Sequence, residues 1–154
     1  MRKSFHYLNL IILLLLFSCT KNKDLVVYHT FKNRIWERFD FIHFDIPVTL
    51  REGNYDVYLF VHHTSEYEFD DLSFQMGMNT PTGEERVKEY NIRIRRKDGG
   101  FAGQCSKDSC EVLVPLKKEL KLSPGNLHIE LENLVPRLKT RGVLSIGIRI
   151  TPSI

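Results

Sequence analysis

Three kinds of side chain in this sequence have the chemistry to act on something: thiols, imidazoles and carboxylates. Cys105 and Cys110 have four residues between them in "GQCSKDSC". Such a pair closes a structural disulfide, stays as two free thiols, or forms half of a metal site. A zinc site takes four ligands, and no second Cys or His pair stands at a matching spacing. A redox-active pair has two intervening residues and a helix start after the first cysteine, and neither is present. His62 and His63 are adjacent, so on a strand they point to opposite faces and do not share one ion. Asp70 and Asp71 meet the same objection, and Glu84 and Glu85 follow a turn and read as solvated. His29, His43 and His128 are isolated in strand-like runs. Ser65 and the other hydroxyls have no identifiable base partner. There is no Gly-rich phosphate loop, no G-x-S-x-G elbow and no H-E-x-x-H. The expectation is therefore no catalytic residue, no metal and no cofactor.

The third cysteine has a different setting. "LNLIILLLLFSCTKNKDL" spans residues 8–25, with Arg2 and Lys3 before it and an unbroken apolar run from Leu10 to Phe17. That run is shorter than the ~20 apolar residues of a bilayer-spanning helix. It fits the core of a secretory signal. Leu16-Phe17-Ser18-Cys19 resembles a bacterial lipobox, which implies diacylglyceryl transfer to Cys19 and cleavage before it. The expected organisation is a signal peptide over 1–18, a lipidated cysteine and short tether over 19–24, and one domain over 25–154. Thr20 and Lys21 follow Cys19, so no acidic inner-membrane retention signal is visible and the outer membrane is the expected home. Only one acid, Asp24, lies in the tether, which favours the periplasmic leaflet. An oxidising destination also favours the disulfide reading of Cys105 and Cys110. Closing so small a loop contributes roughly 2 kcal/mol in the chain-entropy account.

Removing residues 1–18 takes away two bases and no acids, so 22 − 2 = 20 basic residues face 19 acidic ones, a net of +1. No basic stripe dominates, and nucleic acid is not an expected partner. The densest basic patch, Arg93, Arg95, Arg96 and Lys97, interleaves with Ile92 and Ile94 as the wet face of a strand.

The elements that must position these groups read as strands. Alternating or β-rich runs occur at "LVVYHTF" from Leu25, "FDFIHFDIPVTL" from Phe39, Tyr55–His63, Asp71–Met78, Glu89–Arg96, Cys110–Leu116, Leu127–Leu134 and Val143–Ile150. Turn signals separate them, including Glu52-Gly53-Asn54, Thr80-Pro81-Thr82-Gly83 and Ser123-Pro124-Gly125-Asn126. Short strands at this spacing predict an all-β fold, a single antiparallel sandwich of Ig-like or jelly-roll-like type. "EERVKEY" and "ENLVPRLKT" have the composition for a helical turn each, the second limited by Pro136. Trp36 reads as core filler in a sandwich; exposed, it is a candidate contact for a partner or ligand.

The order of these features resembles a known family. A lipobox is followed by "VVYHTFKNRIWERFDFIHFDI", then "YDVYLFVHHTSEYEFDDLSFQM", "TPTGE", "GNLHIELENLVPRL" and "GVLSIGIRI". This is similar to the GldH-type gliding-motility lipoproteins of the Bacteroidota, over about Leu25 to Ile150. The middle departs from the family's Gly-rich "DGRWLGKG"-like turn: here "KDGGFAGQCSKDSC" has Phe101 in place of the tryptophan, with a cysteine pair after it. The resemblance implies an accessory lipoprotein of gliding motility and its secretion machinery. It would be anchored to the membrane through Cys19, partnered by envelope proteins, and without catalytic residues to carry over. The alternatives are a carbohydrate-binding surface lipoprotein, or a hydrolase whose site the sequence does not reveal.

Overall fold

The structure is a computed structural model that describes residues 24–154. The expected signal peptide, Cys19 and most of the tether lie outside the described residues. Eleven strands follow in order: β1 (Leu25–Thr30), β2 (Ile35–Glu37), β3 (Ile42–Val48), β4 (Gly53–His63), β5 (Asp71–Asn79), β6 (Glu85–Arg93), β7 (Gln104–Cys105), β8 (Cys110–Leu122), β9 (Gly125–Asn133), β10 (Lys139–Arg141) and β11 (Val143–Pro152). They form a five-stranded sheet in the order β1-β11-β4-β8-β7, a four-stranded sheet β3-β9-β5-β6, and a small β10-β2 pair. All pairings are antiparallel. The all-β sandwich read from the alternation is what the chain forms.

Period-two alternation builds the core. On β3, Ile42, Phe44, Ile46 and Val48 point inward while His43, Asp45 and Pro47 point out. Leu72, Phe74, Met76 and Met78 of β5 do the same, as do Leu127, Ile129 and Leu131 of β9. They meet Val57, Leu59 and Val61 of β4 and Ile146, Ile148 and Ile150 of β11 from the other sheet. Fully burying one such side chain stabilises by about 1.5–3 kcal/mol. Tyr90 ties the layers: its ring stacks on Phe74 at 5.2 Å, and its hydroxyl donates to the Leu116 carbonyl at 3.1 Å.

The two expected helical turns are absent. "EERVKEY" is the start of β6, paired from Asn79–Glu85 to Asp71–Arg93 with β5. Its seven residues are too few to nucleate a helix against a hairpin partner already in place. In "ENLVPRLKT", β9 runs to Asn133 and the chain then forms β10 rather than a helix. β8 is longer than the Cys110–Leu116 run, reaching Leu122 through register shifts opposite Tyr55 to Tyr58. Pro47 and Pro115 sit in strands where an unpaired side faces solvent, the position a residue without an N–H can take.

Trp36 has no exposed surface. Its Nε1 donates to the Asp40 carbonyl at 3.0 Å, and its ring lies 5.6 Å from Phe31. Complete burial corrects the reading of Trp36 as a partner or ligand contact; it fills the core beneath the β10-β2 pair. Asn133 is buried beside it. Its Nδ2 donates to the Trp36 carbonyl at 3.1 Å and to Thr140 Oγ1 at 2.9 Å, and its Oδ1 accepts from Val135 N–H at 3.0 Å.

Candidate functional site

Register decides what the outer surfaces carry. On the five-stranded sheet one outward row reads Tyr28, Gly147, Phe60, Leu113 across β1, β11, β4 and β8, and the next reads Val26, Arg149, Tyr58, Pro115. Tyr28 is 67% exposed, and Val26 and Leu113 are also exposed. Phe60 lies down on the sheet over Gly147, where a Cβ would stand 2.3 Å from the ring. Arg149 spreads over the same ring at 5.6 Å. The result is two largely apolar and aromatic rows with one cation, Arg149.

A third row on that face is polar. His62 Nδ1 and Ser145 Oγ are 3.0 Å apart, and His62 Nε2 and Glu111 Oε2 are 2.6 Å apart. Arg149 approaches Glu111 at 4.0 Å. A serine, a histidine and a glutamate in one hydrogen-bonded line have the parts of a nucleophile, a base and an orienting group. The sequence reading missed this row, because the three residues come from β11, β4 and β8 and only register aligns them. Ser145 is buried, and paired strands flank it on both sides. The register of β11 against β4 shifts at the adjacent Leu144. The row links β11, β4 and β8 through their side chains.

His62 and His63 point to opposite faces, as adjacency on a strand requires. His63 is fully buried. Its Nδ1 donates to the Thr64 carbonyl at 3.1 Å, while Nε2 has no hydrogen-bond partner. Burial holds its pKa below the ordinary value, and the Arg95 and His62 charges act in the same direction. The Phe101 ring covers it at 4.9 Å, and Arg95 stacks over Phe101 at 4.3 Å while donating to the Tyr67 carbonyl. Phe101 is thus the plug of a buried aromatic cluster. Burial also raises the Tyr67 phenol, whose hydroxyl donates to the Asp71 carbonyl. Cys105 and Cys110 face each other across β7 and β8 and are disulfide-bonded, pinning the segment that carries Phe101.

The carboxylates singled out in the sequence do not converge. Asp71 pairs with Arg93 at 2.8 Å and Glu84 pairs with Arg86, both on the surface. His43 faces Glu130 at 3.2 Å and His128 faces Asp45, making a charged checkerboard on the outer face of the four-stranded sheet. Among the described residues, no group of three or more His, Cys, Asp or Glu side chains is placed to hold a metal ion.

One further surface stands out. Phe39 and Leu138 are 72% and 70% exposed, joined through the Arg38 N–H to Leu138 carbonyl bond at 3.0 Å and lying beside Lys139. This apolar rim lies past the Thr30 end of β1, whereas the chain enters at Leu25.

Fold and surface together define an all-β sandwich that presents broad faces, an apolar rim and a polar row across three strands. The GldH lipoprotein family matches residues 25–150, nearly the whole described domain, and the chain belongs to that family. A similar protein is the gliding motility lipoprotein GldH of Flavobacterium johnsoniae, 24% identical over 146 residues and covering 89% of each chain.

Proposed function

We propose that this chain is a lipid-anchored envelope protein of the gliding and secretion apparatus that holds other envelope proteins without turning over a substrate. Its mature form begins at Cys19. It hangs from the outer membrane on the periplasmic side, with the Cys105–Cys110 bridge as a structural staple. Family membership across the whole domain supports the setting. The observation that carries the binding role is the Phe39–Leu138 rim, an exposed apolar pair beside Arg38 and Lys139, at the end of the sandwich away from the tether. Large exposed apolar side chains ringed by charge mark docking sites on soluble domains.

Affinity capture of the tagged protein from membranes tests this reading. Phe39→Asp with Leu138→Asp should lose the captured partner while thermal stability stays within about 0.5 kcal/mol of the parent, as for exposed positions. Retention of the same partner refutes the rim. Cys19→Ala should leave the protein uncut or released from membranes; an unchanged mature mass in the membrane fraction refutes lipidation. Rapid loss of the domain on proteolysis of intact cells refutes the periplasmic placement. The hydrolase alternative rests on Ser145, His62 and Glu111. Ser145→Ala should leave function intact, and loss of function with folding and partner capture preserved would return the row to catalysis.

A further inference from the structure

The apolar face of the five-stranded sheet is not part of the rim, and it lies where the chain enters the domain. Val26 is the second residue of β1, and Tyr28 follows two residues on, on the same outward side. Leu25 and Val27 point the other way and pack against the core. Only residues 20–24 separate Cys19 from Leu25. At the reach of an extended chain, that span is at most about 20 Å. The face extends from Tyr28 to Leu113 over four strands, about 14 Å at ordinary strand spacing. Anchoring at Cys19 therefore confines this face close to the bilayer, at a high local concentration of lipid.

We infer that Val26, Tyr28, Tyr58, Leu113 and Pro115 lay this sheet face on the surface of the bilayer that holds the anchor. Three observations favour lipid over another occupant. Its central strands β11 and β4 are paired on both sides, so they offer a peptide no free edge. It carries aromatic side chains with polar tips, Tyr28 and Tyr58, the residue type enriched at the headgroup level. Its acids are engaged, Glu111 with His62 and Arg149 and Asp56 with Tyr58 and Ser153, and the tether sequence adds Lys21 and Lys23 to suit anionic headgroups. The opposite face, with Asp45, Glu85 and Glu130 exposed, has the wrong charge for that contact. Docking this way leaves both the opposite face and the Phe39–Leu138 rim free for partners.

The inference rests on the anchoring proposed above, and the experiment separates the two. The full chain is purified from membranes and its N-terminal mass is read. If a lipid is present, the protein is placed in vesicles of phosphatidylethanolamine and phosphatidylglycerol with dibrominated acyl chains. If none is present, Cys19 is coupled to a maleimide phospholipid, since Cys105 and Cys110 are bonded to each other and the chain has three cysteines. Tyr28→Trp and Val87→Trp are compared, Val87 being 71% exposed on the opposite sheet. Emission from buried Trp36, measured in the parent, is subtracted. The inference expects the tryptophan at 28 to shift to the blue and lose emission, while that at 87 does neither. Two unquenched reporters, or two equally quenched ones, overturn it. So does a blue shift at 28 that grows with protein concentration without vesicles, which assigns the face to a second copy. Where Tyr28→Trp unfolds early, Leu113→Trp reads the same face.

Discussion

Gly147→Ala is the sharpest test of how the outer apolar face is built. The residue is the floor on which Phe60 lies. A Cβ there would stand 2.3 Å from Phe60 Cζ and 2.5 Å from the Val27 carbonyl oxygen. Both lie far inside ordinary contact. The carbonyl belongs to the β1–β11 ladder and has little room to move without opening that pairing. The ring has one escape, which is to lift off the sheet. Phe60 is 4% exposed, so lifting it returns most of a phenylalanine to water. Overpacking costs about 1–3 kcal/mol, and a lifted ring forfeits up to about 1.5–3 kcal/mol of burial. The two overlap, because lifting relieves the clash, so the expected loss is about 2–3 kcal/mol. Urea unfolding followed by Trp36 fluorescence measures it, since Trp36 is the one tryptophan and is buried. At about 1.5 kcal/mol per molar, the midpoint falls by about 1–2 M. Phe60→Ala in the same chain should recover only part of the loss, because the Val27 oxygen still opposes the methyl. A single-mutant loss below about 0.5 kcal/mol refutes the reasoning, as does full additivity of the two changes.

Three further outcomes follow from the interior. Asn133→Ala removes bonds to Trp36, Thr140 and Val135 at once; thermal denaturation should show a loss of about 2–4 kcal/mol, and a loss under 1 kcal/mol would be inconsistent with a buried network. His63 is held neutral by burial, so its folded pKa lies below the unfolded one. Its contribution is complete above pH about 6.5 and is lost as pH falls from there through the folded pKa; His63→Phe should flatten the stability profile in that window, and an unchanged slope refutes the assignment. Alkylation of the unfolded chain with and without reductant should differ by two thiols, and reduction should lower stability by roughly 2 kcal/mol; two thiols labelled without reductant would contradict the bridge.

Period-two alternation made the fold class legible, because a half-buried strand writes its inner face into every second residue. "FDFIHFDIPV" and "LHIELEN" read correctly for this reason, and His62 and His63 were separable by parity alone. The same logic fails where both faces are apolar. In "YDVYLFVHH", Tyr58 and Phe60 alternate with Val57, Leu59 and Val61, and nothing local says which set is the core. That was decided by pairing with β11, whose Gly147 leaves room for Phe60 only on the outside. "EERVKEY" has mixed local preference, and the hairpin with β5 made it a strand. Trp36 lies in a three-residue strand too short to show a face, so its burial was settled by the β10-β2 cover and by Asn133. The Ser145–His62–Glu111 row and the outer apolar rows of the five-stranded sheet exist only as registers between strands far apart in the chain. Local pattern determined which residues alternate. Tertiary pairing decided which of them are neighbours, because hydrogen-bond register is a relation between segments that no single segment contains.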